Sequence, residues 1–358
     1  MEHDYFTSNP RPKILQKHST LAREFISRHA SDSRRVVLVT SGGTTVPLEN
    51  QMVRFVDNFS AGTRGATSAE YFLSHGYAVI FLHRQFSLLP YSRHYSHNVN
   101  CFLDFMDEDN GKVVVGEEYQ DEMLGVLRKY TQARKQGKLL SIPFVTVNDY
   151  LWELREIAIL MQPLGGTALF YLAAAVSDFF IPSDRMVEHK IQSSEDFNKE
   201  NQHSTDGTKT PAARIEGQRL VIGLEPVPKF LKTLVDGWAP EGMIVSFKLE
   251  TDPAILVKKA EYALNKYSHH LVIGNLLSTR KWEVVFVSTS GGQQWIRVPR
   301  SKRTPSISGK VEHVGLASGD TDQDAEAVTG QPAVEIESLI IPEVARMHAA
   351  HMSRRKSK

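Results

Sequence analysis

Cysteine is almost missing from this chain: Cys101 is the only one in 358 residues. No intrachain disulfide is possible, and a reducing, cytoplasmic setting is expected. An excess of charge of one sign is missing too. Lys and Arg number 42 against 41 Asp and Glu, a formal net charge of +1. That balance argues against a nucleic-acid footprint or a polybasic membrane anchor. No apolar run is long. The longest, ALFYLAAAV from Ala168 to Val176, is far too short to cross a bilayer and ends at Ser177 and Asp178. The opening MEHDYFTSNPRPK has an early acid and no apolar stretch, so no secretory signal is expected. Metal-ligand patterns are lacking as well. His94 and His97 in HYSH, and His348 and His351 in HAAH, have no third ligand at a suitable spacing, so no protein-held metal is expected. Repeats of solenoid period are absent. A soluble chain remains, 41% hydrophobic, long enough for one large or two modest domains.

What is present alternates. RVVLVT, YAVIFLHR, LSIPFVTV, TALFYLAAAV, GMIVSFKLE and HHLVIGN read as strands. Between them GATSAEYFLSHG, EEYQDEMLGVLRKYTQARKQG, NDYLWELREIAILM, VPKFLKTLVDGWAP and TDPAILVKKAEYALNKY read as helices. Gly76 and Gly137 suit helix stops, Asn148 an N-cap, and Asp252 with Pro253 a capped first turn. Pro143 predicts an edge strand or a strand end. KWEVVFVST and QQWIRVP flank SGG as a hairpin, and VEIESLIIPEVARMHAAHM reads as a closing helix interrupted by Pro342. Strands that are continuously apolar, set between helices, predict an α/β fold: a Rossmann-like, mainly parallel sheet with helices on both faces, plus a C-terminal β-hairpin region.

The expected organisation is an N-terminal helical extension over 1–34, an α/β domain over 35–298, and a C-terminal helix with a basic tail over 333–358. Two polar segments break the rhythm, an insertion at 193–218 and another at 299–332. Both are rich in Ser, Thr, Gly and Asp, and are expected to bury too little surface to stay ordered.

In an open parallel sheet, ligands bind beyond the carboxyl ends of the strands. TSGGT follows the first strand, and Gly42 and Gly43 allow close approach of the backbone. RFVDNFSAGTRG then opens directly into a helix, whose N-terminus offers N–H groups to an anion. It is not a Walker A loop, because the Lys-Ser/Thr ending is missing, and it is not a regular G-x-G-x-x-G. Residue types and spacing stop there, at a nucleotide or phosphate ligand on an α/β sheet.

VVLVTSGGTTVPLE, VRFVDNFSAGTRGATSAEYFLSHGYAVIFLHR, PYSRH, FYLAAAVSDFFIP, EHKIQSS, VPKFL, WAPEGMIVSFKLETDPAILVKKA and VIGNLL follow one another along the chain. This series closely resembles the eukaryotic, fungal-type phosphopantothenoylcysteine synthetase family, from about Val36 to Leu277. The resemblance implies ligation of phosphopantothenate to cysteine in coenzyme A biosynthesis. The phosphopantothenate carboxylate would attack the α-phosphate of ATP, releasing pyrophosphate, and the cysteine amine would displace AMP from the acyl-adenylate. It also implies magnesium arriving with the nucleotide, and a homodimer sharing its site across the interface.

The resemblance also implies roles. Asn58 would hold phosphopantothenate and the acyl-adenylate, Arg54 would reach phosphopantothenate in the neighbouring subunit, and Lys190 would close over the intermediate on a flap. Ala174, Ala175 and Asp178 would line the substrate. Gly42, Ser60, Gly62 and Gly65 would cradle nucleotide phosphates, with Arg64 a weaker phosphate candidate. Phe247 and Asn275 would line base and ribose, and Lys248 would face the triphosphate. Taken singly, each has a plainer reading: a turn Asn, a surface Arg or Lys, a capping Asp, a core Phe. An alternative on the same sheet class is a nicotinamide-dinucleotide oxidoreductase.

Overall fold

A computed structural model describes residues 2–96, 101–191, 212–216, 219–289, 292–299 and 332–356. The chain divides into two compact units, Met1–Gly242 and Met243–Lys358.

In the first unit, strands β1 (Val36–Ser41), β4 (Ala78–Arg84), β7 (Leu139–Phe144) and β8 (Ala168–Leu172) form a parallel array in the order β8-β1-β4-β7. Two short strands, β2 (Thr45–Pro47) and β3 (Phe55–Asp57), pair antiparallel above it, and β5 (Met106–Asp109) pairs with β6 (Lys112–Val115) across Asn110-Gly111. Helix α3 (Thr63–Ser74) links β1 to β4, α4 (Gln120–Lys135) links β4 to β7, and α5 (Val147–Met161) links β7 to β8. β1 is buried throughout, as its unbroken apolar run predicts.

The helices cover both faces. Tyr171 of β8 points at α3, its hydroxyl 3.0 Å from Ser68 Oγ and its ring 5.2 Å from that of Phe72. Val39 is the register partner of Tyr171, so the odd-numbered residues of β1 face α3. Thr40 faces the other way and meets the hydroxyl of Tyr150 on α5; burial raises that phenol to about 12. Against α5 lies α2 (Leu15–Ser31), joined through His18 Nδ1 to Glu153 Oε1 at 2.6 Å and through Ser19 Oγ donating to Glu156 at 2.7 Å. α1 (Glu2–Ser8) sets Tyr5 against Phe180 and Phe230, with ring centroids at 5.1 and 5.3 Å.

Pro143 lies on an edge strand, as expected, where its missing N–H is tolerated. Several other local expectations are adjusted. Asn148 is not the N-cap of α5: Thr146 and Asp149 form a reciprocal capping box, and Asn148 instead donates to the Pro10 carbonyl. β8 stops at Leu172, because Ala174 turns to bond with the Thr40 side chain and Ala175 with the Gly42 backbone just beyond β1. VPKFLKTLVDGW gives only a short α-turn, α6 (Leu231–Thr233), continued by a π-turn over Leu234–Trp238. The polar segment at 193–218 is partly strand, with β10 (Ala213–Glu216) pairing with β11 (Arg219–Ile222). There the alternating ARIE and RLVI can form a ladder. Residues 193–211 and 217–218, like 300–331, lie outside the described residues, and so does His97. One further two-stranded pair joins β9 (Phe179–Phe180) to β12 (Glu225–Pro226).

The second unit holds β13 (Met243–Glu250) parallel to β14 (Leu271–Leu276), followed by antiparallel β15 (Glu283–Ser288) and the hairpin strand β16 (Gln293–Arg297). Helix α7 (Pro253–Tyr267) starts at Asp252, whose carboxylate accepts from Ala254 N, and packs Leu256, Ala260 and Leu264 on Val272, Val285 and Val287. The expected interruption at Pro342 does not occur: α8 (Glu337–Lys356) runs through it. The proline is exposed, while Ile340 and Ile341 before it and Val344 after it are buried, so both turns are held from the core side.

His269 is wholly buried, with Nε2 2.7 Å from Ser246 Oγ and Nδ1 without a partner among the described residues. Burial lowers its pKa from 6.5 to about 4. The unfolded chain therefore binds a proton that the folded chain refuses, and stability is lost as pH falls through that window. The contribution is at most about 1.4 kcal/mol per pH unit. Denaturant titrations at several pH values should show a shallower acid slope in His269→Gln than in the wild type; equal slopes would rule His269 out as the group responsible.

Candidate active site

The strand order has one reversal. From β1 the chain steps outward to β4 and β7, then returns to lay β8 on the other side of β1. The helices that follow β1 and precede β8 therefore lie on opposite faces of the sheet, and the carboxyl ends of these two strands mark the switch point where such sheets usually hold a ligand crevice. The segments that carry Gly42, Asn58, Ala174 and Ala175 meet there.

Backbone bonds lock the crevice wall. Ala175 N donates to Gly42 O at 2.8 Å, and Thr44 N returns to Ala175 O at 3.0 Å. Ala174 N donates to Thr40 Oγ1 at 3.1 Å, and Ser177 N to Thr44 Oγ1 at 2.9 Å. Ala174 and Ala175 are thus fixed against Gly42 as an open strip of backbone with small side chains. The loop bearing Asn58 lies across it. Asn58 N donates to Thr44 O at 3.2 Å, and a Cβ on Gly43 would land on the Asn58 carbonyl. Gly43 is therefore a steric necessity. The Asn58 side-chain amide is 3.5 Å from Ala175 O, a long contact that a ligand oxygen can replace at little loss.

Ser60 follows on the same loop. Gly62 then takes a left-handed φ of 84° as the N-cap of α3, with no side chain capping the helix. The first-turn N–H groups are left to bind an anion, supported by the helix dipole. Ser41 Oγ donates to Gly62 O at 3.0 Å, and Gly65 lies so close to Ser41 that a Cβ would collide with it, which seats the helix start on the end of β1. Arg64 is half-buried in that first turn.

Arg54 and the backbone next to Lys190 are held by one residue that sequence reading missed. The Glu49 side chain is 0% exposed and accepts from Arg54 N at 2.9 Å, Arg54 NH1 at 3.0 Å and Ile191 N at 3.2 Å. Burial pushes its pKa upward, but these hydrogen bonds and the guanidinium charge outweigh that and hold the carboxyl below its ordinary value. Lys190 is exposed, one residue before Ile191. Glu49 lies in the quoted VPLE motif, but its partner is 142 positions away and no local pattern reveals it. Asp178 is also exposed, and pairs with Lys229 at 2.7 Å. PYSRH has a structural role: Glu70 on α3 accepts from Tyr91 N and from Arg93 Nε, both at 2.7 Å.

In the second unit, Phe247 is the register partner of Ile273, and Asn275 that of Leu249, so Phe247 and Asn275 share one face. Lys248 pairs with Gly274 on the opposite face, the one that receives Leu256 of α7, and its Nζ lies 3.0 Å from Glu250. Among the described residues, no group of three or more His, Cys, Asp or Glu could hold a metal ion, and no helix is long and apolar enough to cross a membrane.

No protein-family model matches the chain. Individual proteins do. It is 50% identical over 303 residues to the phosphopantothenate–cysteine ligase CAB2 of Saccharomyces cerevisiae, covering 83% of this chain and 80% of that protein. The chain belongs to the phosphopantothenate–cysteine ligase family. The human ligase is 41% identical over 299 residues, covering 82% of this chain and 88% of its own. Among solved structures, a histidine-to-alanine mutant of Cab2 in complex with phosphopantothenate-cysteine superposes with a TM-score of 0.80 at 44% identity, covering 99% of both chains. Phosphopantothenate–cysteine ligases of this kind thus share the architecture that builds the crevice. Within it, Gly43→Ala is expected to displace the Asn58 loop, lowering turnover by more than about tenfold along with the melting temperature, because backbone and Cβ cannot share the space. Activity and thermal melts at matched protein concentration check this.

Proposed function

We propose that this chain joins phosphopantothenate to cysteine with ATP, in coenzyme A biosynthesis in the cytoplasm. The observation that carries this reading is the meeting of the Asn58 amide, the Gly42–Gly43 turn and the uncapped start of α3 at the crevice between β1 and β8. A reaction between a carboxylate and a triphosphate needs donors aimed at negative charge, without a covalent nucleophile. The phosphopantothenate carboxylate attacks the α-phosphorus, the bond to the β-phosphate oxygen breaks, and pyrophosphate leaves. The cysteine amine then attacks the acyl carbon, the carbon–oxygen bond breaks, AMP leaves, and the amine gives up a proton.

Gly42, Ser60, Gly62 and Gly65 carry the triphosphate, with Arg64 beside them. Magnesium enters bound to the nucleotide, as this ion often does. Asn58 donates to the acyl or phosphate oxygen without a buried charge. Ala174, Ala175 and Asp178 support phosphopantothenate, whose phosphate is met by the fork of Arg54 from the neighbouring subunit. Lys190 neutralises the intermediate. Phe247 and Asn275 hold the base and ribose. Lys248 is assigned to the triphosphate by family resemblance alone, since its pairing with Glu250 gives no support.

A homodimer completes the reading. Beside Arg54, the stretch from Met52 exposes Val53 at 55%, Phe55 at 45% and Phe59 at 92%, a run of apolar side chains suited to burial against a second copy. The nicotinamide alternative is disfavoured because β1 runs into β2, whereas a dinucleotide fingerprint leads straight from strand to helix.

Purified protein with phosphopantothenate, magnesium ATP and cysteine should yield pyrophosphate, AMP and an amide product by mass spectrometry. ADP and phosphate would refute the adenylate route. Product formed only with CTP would correct the nucleotide alone. In the same assay Asn58→Ala is expected to lower kcat by about 100-fold with an unchanged melting temperature; a wild-type rate would remove Asn58 from the chemistry.

A further inference from the structure

A carboxylate removed from water is costly, and a solitary one is tolerated only where it is paired and hydrogen-bonded. Glu49 meets that condition through two separate pieces of chain. One is its own loop, where Arg54 donates both its backbone N–H and its guanidinium. The other is the strap that carries Lys190. Ile191 N donates to Glu49, and Arg54 NH1, already bonded to Glu49, also donates to Ile191 O at 2.8 Å. The strap runs alongside the loop before that point. Glu49 bridges to Val187, Asn50 N donates to Val187 O at 2.9 Å, Gln51 N to Glu188 O at 3.2 Å, and Asn50 Nδ2 to Glu188 Oε2 at 2.8 Å.

These bonds make Glu49 the common anchor of both segments. Arg54 precedes β3, which leads directly to Asn58. With NH1 fixed from behind by Glu49 and Ile191, the part of the Arg54 side chain that stays exposed, 40%, is presented in one orientation. A guanidinium held this way loses less freedom when it receives a phosphate. We propose that Glu49 is a positioning residue of the ligase site: it orients Arg54 toward the phosphate of phosphopantothenate and fixes the base of the Lys190 strap. This rests on the reading of Arg54 as the phosphopantothenate contact.

Steady-state kinetics of Glu49→Gln, Glu49→Asp, Arg54→Ala and the Glu49→Gln/Arg54→Ala double variant test it, with thermal melts of each. Glu49→Gln keeps the shape and removes the charge. It is expected to raise KM for phosphopantothenate about tenfold while KM for ATP stays unchanged. Arg54→Ala should do the same, and the double variant should be no worse than the weaker single, because both act through one contact. Glu49→Asp, which keeps the charge at shorter reach, should give a smaller rise, of a few-fold, again confined to phosphopantothenate. Equal rises in every KM, or penalties that multiply in the double variant, would reduce Glu49 to a structural role and overturn the proposal. Arg54→Ala with an unchanged phosphopantothenate KM would overturn the underlying reading of Arg54, and the proposal with it. Should Glu49→Gln fail to fold, Glu49→Asp decides: a rise of a few-fold confined to phosphopantothenate supports the role, and an unchanged KM refutes it.

Discussion

The backbone of Asn58 crosses Gly43 with no space between them for a side chain. That contact ties together everything else at the crevice. It fixes the height of the Asn58 loop over β1, and so the position of Gly62 and the direction in which α3 starts. It also places the Asn58 amide beside the turn after β8. The crevice exists because the chain returns across β1 to form β8, but the contact at Gly43 determines its shape.

Positive charge is presented in two ways. The start of α3 offers backbone N–H groups and a helix terminus, which attract an anion without introducing a buried ion. Arg54 is a full charge, with a buried carboxylate set behind it. The pairing lowers the desolvation penalty of Glu49 and restricts the motion of Arg54. Glu70 does similar work for the PYSRH segment, gathering Tyr91 N and Arg93 around a carboxylate that burial pushes up and hydrogen bonds from His94 and Arg93 pull down below its ordinary value.

The parallel sheet was legible because its strands are continuously apolar and its helices end at Gly76 and Gly137. The glycine loops were legible because glycine at a strand end has few other uses. What escaped depends on contacts between distant segments. Asn148 looks as good a cap as Thr146 until Asp149 is seen bonding back to Thr146. TALFYLAAAV reads as one strand until Ala174 finds the Thr40 side chain of β1 and Ala175 the backbone of Gly42 just after it. Pro342 looks like a break until the buried isoleucines beside it are seen to hold the helix. Glu49 looks like any loop acid, because only the fold brings Ile191 to it. The short pair β5–β6 was readable in principle, since Asn110 and Gly111 both take positive φ in a tight hairpin turn.

The link between Glu49 and Ile191 spans 142 positions, and that span has a consequence in time. A ribosome adds about 5–20 residues per second, so Ile191 is made roughly 7–30 s after Glu49. Through that interval the loop holding Glu49 has no strap to bind. The strands β1, β4 and β7 are already synthesised and able to pair. The contact between Glu49 and Ile191 therefore forms late in the making of this unit, after the strands that support it.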